Sequence, residues 1–129
     1  MKELLVVLYM GIVLVVGPLC VLAAEKEPIR HVVVFKYKQG TNEEQIRQVT
    51  DAFRDLKSKI PGIVSFEYGV NNSPEGKNHG FTHIYLLTFV DAKARDSYLP
   101  HPEHKKFGAL LAKLGILEDV FVIDYAPNN

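Results

Sequence analysis

Phe81-Thr82-His83-Ile84-Tyr85-Leu86-Leu87-Thr88-Phe89-Val90 is rich in aromatic and β-branched residues, the chemistry of an extended strand. On a two-residue period, Phe81, Tyr85, Leu87 and Phe89 share one face, and Ile84, Leu86 and Val90 share the other. A strand wetted on one side alternates apolar with polar residues. This one is apolar on both sides and needs cover on both.

The same chemistry recurs outward from it. Ile29–Tyr37 (IRHVVVFKY) is the first expected strand, and Val33 and Phe35 oppose Val32 and Val34. Ile63–Val70 is the second, with Val64, Phe66, Tyr68 and Val70 on one face; Val120–Tyr125 is the last. Thr41-Asn42-Glu43-Glu44 fits a capping box, with Thr41 as N-cap and Glu44 reaching back. Ile46, Val49, Phe53, Leu56 and Ile60 then recur at helical spacing until Pro61-Gly62 stops the helix. Asn71–Gly80 is a polar loop. Asp91 caps a short helix running to about Leu99, and Pro100-His101-Pro102 interrupts it. A further helix runs from Pro102 to about Leu114, carries Phe107, Leu110, Leu111 and Leu114 on one side, and ends at Gly115.

The order β-α-β-β-α-β is the ferredoxin-like α+β arrangement, a four-stranded antiparallel sheet with its helices on one face. Two main helices cover one face only. A second copy of the sheet is the economical cover for the other, which makes a dimeric α/β barrel the expected assembly.

The chain has 129 residues, with 15 Lys+Arg against 15 Asp+Glu. Zero net charge without a basic run excludes a dedicated nucleic-acid binder. The 47% hydrophobic content is partly an N-terminal matter, because no charged residue occurs from Leu4 to Ala24. Met1-Lys2 is a basic start and Leu4–Val16 an apolar core. Gly17-Pro18 is a break, and Val21-Leu22-Ala23-Ala24 offers small residues for cleavage after Ala23 or Ala24. Residues 1–24 are therefore expected to be a signal peptide and residues 25–129 one folded domain, exported to the periplasm or secreted. The alternative is a membrane anchor formed by residues 4–24. Cys20 is the single cysteine, and the Leu19 before it is not the small residue that a lipoprotein site needs. Cleavage leaves no disulfide, thiol nucleophile or Cys–zinc site.

Five histidines remain to be placed. His79 sits in the polar loop. His31 and His83 lie within strands among apolar neighbours of the same parity, where they are either satisfied core residues or substrate ligands. Pro102 fits the first position of the last helix, so His101 falls near its N-cap and His104 in its first turn. There the helix dipole disfavours imidazolium, and a neutral imidazole can accept a proton. Tyr98 across the turn could donate to a carbonyl. Tyr plus neutral His suits proton abstraction beside a carbonyl; the plain alternative is a proline-defined helix junction. His101 and His104 could share a metal, but no further ligand is grouped with them, so no metal is expected. There is no Gly-rich phosphate loop and no Gly-x-Ser-x-Gly.

Four segments in order, Ile29–Tyr37, Gly80–Ile84, Tyr98–His104 (YLPHPEH) and Val122–Tyr125, resemble signatures of the stress-responsive dimeric α/β-barrel (Dabb) family over about residues 29–127. The resemblance implies a ferredoxin-like barrel that dimerises through its sheets. It also implies kinship with plant stress proteins and with a cofactor-free polyketide cyclase that closes its product by an aldol reaction. In that cyclase a His is the base and a Tyr positions the carbonyl. Its motif falls on His104 and Tyr98, its two strand histidines on His31 and His83, and the intervening one on His101.

Two functions are therefore expected in competition. One is an exported homodimeric module that holds a small apolar or aromatic molecule, with no assigned reaction and no cofactor. The other is a cofactor-independent enzyme of the cyclase or lyase type, with His104 as base, Tyr98 as donor, and His31, His83 and His101 on the substrate. A cofactor-free monooxygenase or haem-handling role is a more distant reading that no sequence feature selects. An enclosed cavity in which Tyr98 and His104 converge within about 3–5 Å favours catalysis.

Overall fold

The two strands with the most apolar sequences take the centre of the sheet. The computed structural model describes residues 26–128; the expected signal segment, with Cys20, lies outside them. The elements are β1 (Ile29–Tyr37), α1 (Glu43–Lys59), β2 (Ile63–Val70), β3 (His83–Phe89), α2 (Ala92–Tyr98), α3 (Pro102–Leu114) and β4 (Leu117–Tyr125). The sheet order is β2-β3-β1-β4 with every neighbour antiparallel, the ferredoxin-like topology. The expected β-α-β-β-α-β order holds, with the second α of that pattern split in two at Pro100.

Local chemistry accounts for the helix ends. α1 starts one residue later than the expected capping box. Asn42 is the N-cap, its side chain accepts from the Gln45 amide, and the Gln45 side chain accepts from the Asn42 amide. Thr41 instead donates its hydroxyl to the Lys38 carbonyl at 2.7 Å, closing the turn after β1. Asp91 caps α2, and Gly115 ends α3 in the left-handed region at φ 61°.

β2 departs from simple alternation. Ile63 stands opposite Phe89 and Ser65 opposite Thr88, so one residue is spare between them. Ile63 takes the buried position, and Val64 is the unpaired residue of the shift, so it does not share the register of Phe66, Tyr68 and Val70. Gly62 sets up this start. Its φ is +91°, and a Cβ there would lie 2.5 Å from that of Ala94. β3 begins two residues later than expected, because the Phe81 amide closes a turn on Asn78. β4 begins three residues earlier, at Leu117, with a register shift opposite Lys36/Tyr37.

Burial alternates along β1. On the helix side His31, Val33 and Phe35 pack with Tyr85, Leu87 and Phe89 against Val49, Phe53, Leu56, Tyr98 and Phe107. Each fully buried large side chain contributes roughly 1.5–3 kcal/mol. On the other side the register lines up Val32 with Leu86 and Ile123, and Val34 with Ile84 and Phe121. That face is apolar and uncovered in the single chain, and Phe121 and Ile123 are each nearly half exposed.

Candidate functional site

The site forms where α2 gives way to α3. Pro102 occupies the first turn of α3, and His101 becomes the N-cap, its ring Nδ1 accepting from the Glu103 amide at 3.1 Å. This places His104 in the first turn, with its Nδ1 2.9 Å from the Leu99 carbonyl oxygen. A carbonyl can only accept, so Nδ1 carries the proton and donates. In the neutral ring Nε2 then holds the free lone pair.

Tyr98 is the last residue of α2 and is fully buried. Its ring centroid lies 4.2 Å from that of His104, 5.0 Å from Phe89 and 5.6 Å from His31. Its hydroxyl is buried with no hydrogen-bond partner among the described residues. Burial, reinforced by the nearby Asp124 carboxylate, pushes the phenol well above its ordinary range. It therefore stays protonated, a donor without an acceptor among the described residues.

His31 lies behind this pair, 5% exposed, with its Nδ1 2.6 Å from Asp124 Oδ1. The other Asp124 oxygen accepts from an Arg95 guanidinium nitrogen at 2.6 Å. One carboxylate thus ties β1, β4 and α2 together and orients the His31 ring. His31, Tyr98 and His104 share a cavity of ≈ 240 Å³ between the sheet and α3, walled by apolar groups that include Phe53, Leu111 and Val122.

The other two histidines lie elsewhere. His83 faces a separate hollow of ≈ 580 Å³ beside α1, edge-on to Tyr37 at 4.9 Å, with its Nδ1 2.7 Å from the Thr82 hydroxyl. Burial lowers its pKa. His101 is occupied in capping α3 and lines a shallow hollow with Gly62 and Ala94. The ring Nδ1 atoms of His101 and His104 are thus both engaged by backbone groups. Among the described residues no three His, Cys, Asp or Glu side chains gather as a metal site would require.

Sequence reading gave no role to Asp124 or Arg95. Asp124 left a trace: it is an acid with the same parity as Val120 and Val122 in an apolar strand. Its partner is legible only from the register that sets it opposite His31. Arg95 left no such trace.

Comparison with known proteins adds kinship to this geometry. Residues 29–127 match the family model described as Stress responsive A/B Barrel Domain. The stress-response A/B barrel domain-containing protein HS1 of Arabidopsis thaliana is 34% identical over 104 residues, covering 81% of this chain and 94% of that protein. Olivetolic acid cyclase of Cannabis sativa is 27% identical over 101 residues, covering 78% of this chain and 98% of the cyclase. Among solved structures, the hydroxynitrile lyase from Passiflora edulis superposes with a TM-score of 0.72 at 26% identity, covering 80% of this chain and 95% of the lyase. A dimeric protein of unknown function and ferredoxin-like fold from Bacteroides fragilis superposes with a TM-score of 0.59 at 26% identity, covering 78% and 96%.

Proposed function

This chain belongs to the stress responsive A/B barrel domain family, and on that premise we propose that it is a cofactor-independent enzyme of the lyase or cyclase type. Its substrate is a small apolar or aromatic compound with an oxygen on the reacting carbon. The observation that carries this reading is the Tyr98 hydroxyl, a buried donor without a partner among the described residues, beside a histidine whose Nδ1 is already engaged.

The roles follow from the hydrogen bonds. His104 Nε2 takes a proton, either from a carbon beside a carbonyl or from a hydroxyl on the carbon whose C–C bond breaks. Tyr98 donates to that neighbouring carbonyl oxygen in the first case and to the alkoxide oxygen in the second, and stabilises the charge that develops there. In the second the C–C bond breaks as the carbonyl forms, and its electron pair leaves with the departing carbon group, which takes the proton back from His104 Nε2. His31, its ring oriented by Asp124, lines the same cavity and contacts the substrate there. A cyclase and a lyase among the similar proteins support this reading, since making and breaking a C–C bond beside an oxygen need the same base and donor. Simple retention of a ligand uses the same cavity but needs neither a free Nε2 nor an unpartnered hydroxyl.

The working form in this reading is a homodimer. The apolar open face formed by Val32, Val34, Ile84, Leu86, Phe121 and Ile123 supports it, and so does the dimeric relative of like fold. Residues 1–24 direct export, with cleavage after Ala23 or Ala24, a reading supported by the basic start, the apolar run, the Gly17-Pro18 break and the small residues that follow it.

A direct test follows benzaldehyde release from mandelonitrile, a single-ring hydroxynitrile, with wild type, His104→Ala and Tyr98→Phe. General base catalysis contributes about 10²–10⁴-fold, so the His104 variant is expected to lose at least about 10²-fold in kcat. Equal turnover by wild type and His104→Ala would remove the base from the mechanism. Tight benzaldehyde binding with no turnover of any such compound would leave the binding module.

A further inference from the structure

Two hollows lie on opposite sides of one buried ring. The cavity of His31, Tyr98 and His104 measures ≈ 240 Å³, and Phe35 and Phe53 close its inner end. The hollow beside α1 measures ≈ 580 Å³, and Thr50, Tyr68 and His83 are among its walls. Tyr85, fully buried on β3, lines neither of them and touches residues of both. Its ring centroid is 5.1 Å from those of Phe35 and Phe53 on the cavity side and 5.1 Å from that of Tyr68 on the other. Its hydroxyl lies 2.9 Å from the hydroxyls of both Thr50 and Tyr37. Two hydrogen bonds and four ring contacts, the fourth with Phe66 at 6.2 Å, pin the side chain in one orientation.

We propose that Tyr85 is a specificity-determining partition that limits the ligand of the Tyr98–His104 cavity to a single ring with a short substituent. This rests on the cavity being the substrate site. An apolar cavity of about 150 Å³ holds benzene. A volume of ≈ 240 Å³ therefore takes one aromatic ring, its carbonyl and little more. Inward, past Phe35 and Phe53, a longer tail meets the space that Tyr85 fills. Beyond it lies a hollow more than twice as large, whose rim carries Arg47, Arg54, Glu43 and Asp51. Removing the ring would let the Phe35 and Phe53 rings that lean on it at 5.1 Å swing into its place, joining the two spaces so that an apolar tail can run past β3 toward that rim. The partition is a feature of packing and not of the proton transfer, because Tyr85 touches neither Tyr98 nor His104 among its ring contacts.

The test uses benzaldehyde and its para-alkyl homologues as probes, with dissociation constants measured by calorimetry. Wild type is expected to bind benzaldehyde and to gain nothing, or lose affinity, once the alkyl chain exceeds about two carbons. In Tyr85→Ala each further methylene that finds room is expected to raise affinity about fourfold. Tyr85→Leu is a milder opening that keeps an apolar side chain in the core and should show the same trend at smaller amplitude. Tyr85→Phe keeps the ring and should keep the wild-type profile. Chain-length profiles of the folded Ala and Leu variants that match wild type would overturn the partition. Leu111→Trp, which fills the cavity itself, separates the two claims. If it abolishes benzaldehyde binding, the cavity is the site, and the Tyr85 result stands by itself. If benzaldehyde still binds with wild-type affinity, the cavity reading fails and the partition with it.

Discussion

Replacing Tyr98 by Phe should stabilise the fold and impair the chemistry, an opposition in sign that a purely structural tyrosine would not give. The hydroxyl is fully buried and has no partner among the described residues. A buried polar group left unsatisfied costs roughly 1–3 kcal/mol. Phe retains the ring that packs 4.2 Å from His104 and 5.0 Å from Phe89, so the packing term is kept. The expected gain is about 1 kcal/mol, or roughly 4–8 °C in Tm for a domain of this size. The expected functional loss is about 10²–10³-fold in kcat, the usual effect of deleting a donor to a developing oxyanion. Tyr85→Phe supplies the contrast. Its hydroxyl is paired with Thr50 and Tyr37, so its removal strips one buried and one half-buried hydroxyl of a partner and should cost about 1–3 kcal/mol. Thermal melts of both variants followed by circular dichroism, beside turnover assays, read out the two signs. A Tyr98→Phe domain destabilised by more than about 1 kcal/mol would refute the reasoning, because it would mean that the fold itself uses the hydroxyl.

Ile84→Glu sets a carboxylate at the centre of the open apolar face, opposite Val34. The wild-type chain should run as a dimer in light scattering at micromolar concentration, and the variant as a monomer, with dimer affinity weakened at least about 100-fold. Asp124→Asn removes the charge that His31 and Arg95 share across 2.6 Å contacts and should cost about 1–3 kcal/mol in urea melts. An unchanged midpoint would show that the carboxylate does not tie the three elements together. His83 gives a pH signature. Burial lowers its folded pKa below the ordinary 6.5, so the unfolded chain takes up the proton first as pH falls. Its contribution to stability is whole above about pH 6.5 and is lost as pH falls through the folded value. His83→Gln should flatten that part of the stability profile, and an unaltered slope between pH 7 and pH 5 would count against it.

The helices and strands were legible because their causes are local. Pro102 with His101 before it, Gly115 after Leu114, and the aromatic and β-branched runs each act within a few residues, and each appears within three residues of where the pattern placed it. The exceptions are also local in scale. Asn42 and Thr41 are both good caps, and which one is used depends on whether Thr41 is needed for the preceding turn. The β2 bulge escaped a strict two-residue period because that period carries no sign of an extra residue.

The candidate site was legible only in the stretch from Tyr98 to His104, where the functional groups are neighbours in sequence. That the cavity includes His31 but not His83 could not be read there, since both show the same parity among apolar neighbours. The difference lies in position along the sheet: antiparallel pairing sets His31 beside Leu87 and His83 beside Phe35, toward opposite ends of the two central strands. Asp124 meets His31 from 93 residues away, Arg95 reaches the same carboxylate from α2, and Tyr85 divides two hollows that no local pattern describes.

From its sequence alone, then, this protein determined its element order, its topology and the two-sided apolar strands that call for a second sheet. Hydrophobic periodicity and capping encode these directly. The tertiary structure decided which polar groups meet and how large a space they enclose. Register between distant strands and the filling of a shared core are properties of contacts, and contacts are set by the whole chain at once.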